Sequence, residues 1–231
     1  MVKVSVLTPT WNRGLYLKRV QSALLNQEAG IFEWIVVDDG SNDLTEDVMS
    51  ELMSNSNFPI TYARFPRRVG KCRADNLLLD LASGDFVLWC DSDDALAPGA
   101  IKRLLNEWEN IPPDNRSDFI GVVALCADPA GNIQSTGLSN FSPFVCTWDE
   151  LSSSYKMAGD MCIMQNRQVI GDRRFPEHDL VITESGFWHQ FMTKKILCLP
   201  DVLKIMIRDT ENRISGSHLM EYCRGKAYAI A

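Results

Sequence analysis

Apolar positions in the first half of the chain follow two alternating patterns. Residues 2–7, 34–37, 60–65 and 86–90 are short runs with little polar alternation, as expected of strands in a sheet covered on both faces. Between them, Leu15, Leu17, Val20, Leu24 and Leu25 recur at helical spacing, as do Val48, Leu52 and Met53, and then Leu77, Leu78 and Leu81. Pro98 opens a fourth helix that runs to about Trp108, at a position proline favours. Strand and helix thus alternate four times, which predicts an α/β domain with a parallel sheet. In such sheets ligands bind beyond the carboxyl ends of the strands. The polar loops at 8–13, 38–41, 66–71 and 91–94 all follow strands, so they are expected to gather on one edge.

The rhythm loosens after residue 110. Residues 119–127 and 159–166 read as strands, and 196–199 and 202–207 as two short ones. Residues 184–192 read as a short helix burying Phe187, Trp188 and Phe191. Residues 128–160 are rich in Gly, Ser, Pro and Asn, and 208–218 are polar and expected to be mobile. No compositional linker divides the 231 residues, so a single domain, 1–231, is expected.

Charge and cysteine usage narrow the picture. A net charge of −7 argues against general nucleic-acid binding. Seven cysteines, an odd number without metal-type spacing, point to a reduced, cytoplasmic chain. No stretch approaches a membrane span, and the start does not read as a signal peptide. The three histidines, His178, His189 and His218, lack metal spacing.

The run at 86–90 ends abruptly in Asp91, Asp93 and Asp94. Like charges this close repel, so a cation belongs there, and a divalent ion on a phosphate is the natural candidate. The competing reading is an acidic turn that caps a helix.

Four blocks, VSVLTPTWNR, IVVDDGSND, VGKCRADN and LASGDFVLWCDSDD, in this order resemble the inverting glycosyltransferases of family 2. That resemblance covers residues 2 to about 108 and implies a GT-A fold, a Rossmann-like, mostly parallel mixed sheet flanked by helices. It implies a nucleotide-sugar-binding half, 1–110, and an acceptor half, 111–231. Pro9 and Trp11 would lie at the base, Trp11 offering a ring for stacking. Asp39 would meet the base edge and Asp38 would hold the loop, with helix capping open to either. Lys71 and Arg73 would approach the diphosphate, and Gly70 would let the backbone come close. Asp91 would face the ribose or a metal water. Asp93 would ligate Mn²⁺ or Mg²⁺, with Asp94 ligating or orienting.

Two departures stand out. The family often reads Ala-Arg-Asn where this chain has Ala74-Asp75-Asn76, so the arginine contact is lost, or Arg73 or Lys71 stands in. The family's Glu-Asp pair corresponds to Thr183-Glu184 here, which puts Glu184 in the general-base position. Glu177 and Asp179 are the fallbacks, and an ordinary first-turn acid is the plain alternative. His218, Arg208 and Arg213 lie in the polar segment, where they could close over the diphosphate.

The expected partners are a UDP- or GDP-sugar and a saccharide or lipid-linked saccharide acceptor, in bacterial polysaccharide or glycoconjugate assembly, with contact at the inner face of the membrane left open. The alternatives are a sugar nucleotidyltransferase, which would want a basic glycine-rich loop after the first strand, and an inactive nucleotide-sugar-binding homologue.

Overall fold

The computed structural model describes residues 3–135, 137, 141–157, 159–177 and 184–207. In chain order the first half comprises β1 (Val4–Thr10), α1 (Gly14–Leu24), β2 (Phe32–Asp38), α2 (Thr45–Ser54), β3 (Ile60–Arg64), α3 (Lys71–Leu81), β4 (Phe86–Trp89), β5 (Asp94–Leu96) and α4 (Ala100–Glu109). The second comprises β6 (Phe119–Ala127), β7 (Phe144–Thr147), α5 (Trp148–Ser153), β8 (Met161–Asn166), α6 (Arg167–Ile170), α7 (Ser185–Trp188) and β9 (Lys195–Met206).

One nine-stranded sheet has the order β3-β2-β1-β4-β8-β6-β9-β5, with β7 also on β9. The first four strands are parallel, with Val4 opposite Phe32 and Phe86. From β4 onward the pairing is mixed: β8 is antiparallel to β4 and to β6, while β9 is parallel to β6 and antiparallel to β5 and β7.

The strands alternate between two apolar layers, as their period of two requires. Val4, Trp34, Val36, Phe86 and Leu88 pack with Leu17, Val20, Leu52, Leu104 and Trp108. Leu7, Ile35, Val37 and Val87 pack with Leu78, Phe175, Phe187 and Phe191. The layers therefore clamp the sheet between helices whose apolar spacing was visible in sequence.

Three features differ from the sequence reading. β9 is one continuous strand, because register shifts against β6 between Val123 and Cys126 absorb the Pro200-Asp201 interruption. β5 and β7, of 3 and 4 residues, were too short to show periodicity. The helix expected from 184 is α7 followed by a 3-10 turn, His189–Phe191. Within it Trp188 is only half-buried and stacks on Trp148 at 5.5 Å, while Phe187 and Phe191 are buried as expected. Residues 208–218 lie outside the described residues.

Candidate functional site

The four loops at the carboxyl edge of β1–β4 are tied into a ring. Asn12 joins the first loop to the second: its N–H donates to Ser41 Oγ at 2.8 Å and its side chain accepts from the Asn42 N–H at 2.8 Å. Asp39 joins the second to the third by accepting from the N–H groups of Val69 and Gly70 at 2.6 and 3.0 Å. Lys71, at the start of α3, lies 3.7 Å from Asp91 and joins the third to the fourth. Arg13 closes the ring, 3.3 Å from both Asp93 and Ser92 Oγ.

Two glycines permit this arrangement. At Gly40 φ is +72°, and a Cβ would stand 2.3 Å from the Arg67 carbonyl carbon, so only glycine fits. Gly70 has φ +101° with open space around a Cβ, so its glycine serves the turn that aims its N–H at Asp39.

The two acids after β2 divide their work. Asp38 is fully buried and accepts from Ser41 N–H and from Tyr62 Oη, both at 2.9 Å, with Arg64 at 3.4 Å, so it holds its loop. Asp39 also spends hydrogen-bonding capacity on the protein. Burial raises its pKa, opposed by the Val69 and Gly70 N–H groups and by Arg68. Pro9 is buried within β1, so little of its ring is open to a ligand. Trp11 carries the Arg68 guanidinium 3.8 Å above its ring, a cation–π contact on the face expected to receive a base. Close by, the hydroxyl of Thr10 is buried with no hydrogen-bond partner among the described residues.

Each acid of the 91–94 turn faces a protein cation. Asp91 has Lys71, Asp93 has Arg13, and Asp94 has Lys204 of β9 at 3.0 Å. The pairs differ in kind. Asp94 and Lys204 are almost completely buried, whereas Asp91 is half-exposed with a loose partner. Asp94 is therefore held by a buried ion pair with Lys204, the arrangement of an orienting acid more than of an open ligand. Burial pushes its pKa up to about 6 against the pull of Lys204, with Asp91 adding to the rise. At Asp91 the cations Lys71, Lys204 and Arg13 outweigh the desolvation that opposes them and hold the carboxyl below its ordinary range.

Among the described residues no group of three or more His, Cys, Asp or Glu side chains converges as a ready cation cage. Asp91 and Asp93 still suit a divalent ion, because Mg²⁺ and similar ions at phosphate sites commonly take one or two carboxylates and complete their shell from the phosphates.

The second half reaches this rim through α3. Buried Asn76 exchanges hydrogen bonds with the Phe175 backbone at 2.8 and 3.0 Å and donates to Glu177 at 2.7 Å. Beyond that tether, Glu184 at the start of α7 lies 2.7 Å from Lys71. The structure therefore brings the sequence-predicted base to the same ammonium that serves Asp91. Arg73 lies 3.5 Å from Glu177, while Lys71 meets Glu184 and Asp91. Asp179, His178, Thr183, Arg208, Arg213 and His218 lie outside the described residues, and His189 is exposed.

Sequence reasoning missed Arg13, Arg68 and Lys204. Arg13 stood inside a loop already singled out, and Lys204 was a lone charge in an apolar strand run, a pattern that signals a buried partner.

A parallel four-stranded start, with acids and cations alternating around a ring of loops at the carboxyl edge of the sheet, defines an α/β protein whose charged side chains gather where such sheets bind ligands. The chain belongs to glycosyl transferase family 2, whose sequence model matches residues 5–170. It is 35% identical over 107 residues to the GalNAc(5)-diNAcBac-PP-undecaprenol beta-1,3-glucosyltransferase of Campylobacter jejuni, covering 46% of this chain and 35% of that one. It is 35% identical over 103 residues to the abequosyltransferase RfbV of Salmonella typhimurium, covering 44% and 31%. The chain thus spans about a third of the length of these curated relatives. Its fold is similar to the GT-A fold of Staphylococcus aureus TarS 1-349, solved with UDP-GlcNAc, at a TM-score of 0.72 and 21% identity over 94% of this chain and 62% of that one. Among the described residues no helix is long and apolar enough to cross a membrane.

Proposed function

We propose that this chain moves a sugar, with inversion, from a UDP- or GDP-sugar to a hydroxyl of a saccharide or lipid-linked saccharide acceptor in bacterial glycan assembly. The observation that carries this reading is the meeting of Glu184 and Asp91 on one lysine, at 2.7 and 3.7 Å. It puts a carboxylate able to act as general base beside the rim where a nucleoside diphosphate would leave. Structural neighbours support the ligand class: TarS is solved with UDP-GlcNAc, and the mannosyltransferase PcManGT of Pyrobaculum calidifontis, similar in fold, with GDP-Man and Mn²⁺. The C. jejuni relative is named for an undecaprenol-linked acceptor.

In this reading Glu184 takes the proton of the acceptor hydroxyl as that oxygen forms its bond to the anomeric carbon. The bond from that carbon to the diphosphate oxygen breaks on the opposite face. Trp11 flanks the base, Asp39 holds the 69–70 backbone against the base pocket, and Lys71 and Arg13 offset the negative charge of the diphosphate. A divalent ion on Asp93, with Asp91 beside it, supplies Lewis-acid stabilisation of the departing diphosphate when bound.

The test is product formation from a panel of UDP- and GDP-sugars with saccharide acceptors and Mn²⁺ or Mg²⁺. Glu184→Gln is expected to lose roughly 10²–10⁴-fold in turnover, the usual contribution of a general base. Asp93→Ala is expected to lose transfer while still unfolding in one cooperative transition, at a midpoint lowered by the loss of the Arg13 pair. Normal turnover in either variant would remove the role assigned to that residue. Pyrophosphate released from a nucleoside triphosphate and a sugar phosphate would instead identify a nucleotidyltransferase.

A further inference from the structure

Lys71 faces three acids. Its single ammonium stands 2.7 Å from Glu184, 3.1 and 3.3 Å from the two oxygens of Asp75, and 3.7 Å from Asp91. An ammonium has three N–H donors. Asp75 is fully buried one helical turn along α3, so it is a fixed anchor. Glu184 is more than a third exposed, so it is the partner that can be let go. Asp91 lies at the ligand rim, too far for a good hydrogen bond, and marks the direction in which the ammonium could move.

We propose that Lys71 is shared between the base and the donor. Without donor, its ammonium ties up Glu184 as an ion pair. When a diphosphate arrives, it competes for the same N–H groups, draws the ammonium toward the rim and leaves Glu184 open to the acceptor hydroxyl. Asp75 is the positioning residue that keeps Lys71 within reach of both. A carboxylate oxygen held by an ammonium at 2.7 Å is not open to the acceptor hydroxyl, so base activity would appear only with donor in place. This inference rests on the nucleotide-sugar reading of the rim and deepens it.

The competition has a consequence that a purely structural ion pair lacks. Removing the charge of Glu184 should make the diphosphate bind better, although the same change is expected to slow transfer. Titration calorimetry with UDP and with GDP, each with and without MnCl₂, is run on the full chain, Glu184→Gln, Lys71→Met and the double variant. Glu184→Gln is expected to tighten nucleotide binding about five- to tenfold, the scale of one net hydrogen bond regained. The gain is expected to vanish in the Lys71→Met background. A gain that persists there would reflect simple relief of repulsion and overturn the sharing, as would an unchanged or weakened affinity in Glu184→Gln. Absence of UDP and GDP binding by the unaltered chain would overturn the nucleotide reading itself, and the sharing with it. For Asp75, the same cycle in Asp75→Asn, which retains an acceptor oxygen, is expected to keep the coupling, and in the similar-sized Asp75→Val to lose it. Coupling that survives in a folded Asp75→Val would remove Asp75 from its role.

Discussion

Asp75 is a fully buried acid on α3, paired with Lys71 one helical turn away. Its pKa is pushed up to about 8, first by burial, with Lys71 pulling it down and Glu184 and Asp91 adding to the rise. The folded chain therefore keeps a proton on Asp75 from its ordinary value of 3.8 up to about 8, an interval in which the unfolded chain has lost it. A group raised in this way makes the folded state less stable as pH climbs through the interval. Asp75→Asn cannot titrate, so urea midpoints measured across that interval are expected to fall less steeply in the variant than in the parent chain. Equal slopes would show that Asp75 is ionised throughout. At this scale the sequence displayed the acids and the basic loop but not their pairing. The helical turn stacks Lys71 over Asp75, while Arg73 lies against Glu177, a division that the sequence does not display. That Asp94 is held by a buried ion pair follows only from a lysine more than a hundred residues away.

β5 and β9 show how two elements hold an acidic turn in place. β5 pairs antiparallel with β9, Asp94 opposite Met206, and Lys204 reaches Asp94 at 3.0 Å with both side chains almost fully buried. Burial disfavours the charge on Lys204, but Asp94 outweighs it, with smaller contributions from Cys126, Asp91 and Cys162, so the ammonium is retained. Cys162 beside it remains a thiol, because burial pushes its pKa up to about 12. Removing one partner of such a pair leaves an uncompensated buried charge, which typically costs about 3–5 kcal/mol. Lys204→Met is therefore expected to destabilise the chain by that amount in urea unfolding, and Lys204→Met with Asp94→Asn to recover most of the loss. A single variant as costly as the double one would mean that the lysine stem, not its charge, matters. The parallel strands and their helices were legible because long apolar runs and helical spacing repeat there. β5, β7 and the continuity of β9 were not, because short strands and a bulged one exist through their partners more than through their own pattern.

The whole molecule is organised around the sheet that both halves share. The family's sequence model ends at residue 170, yet β9, which follows it, supplies strand pairing to β5, β6 and β7, the counter-ion of Asp94 and one wall of the apolar layers. A boundary at that point would cut through a continuous core, and domain boundaries normally fall where few contacts cross. The chain through residue 207 is therefore expected to behave as one folding unit, with the parallel and mixed halves of the sheet as regions of a single body. Two measurements test this together. The full chain is expected to unfold in urea in one transition, with far-ultraviolet circular dichroism and tryptophan fluorescence superimposing. A fragment of residues 1–170 would expose the long β6 edge and strand β5 and β7 without a partner, so it is expected to lack a cooperative transition and to associate through the open edge. A fragment that unfolded cooperatively with the slope of a compact domain would instead show that the nucleotide half folds independently. β9 and α7 would then be additions to a finished sheet, and Glu184 would owe its place to docking rather than to folding.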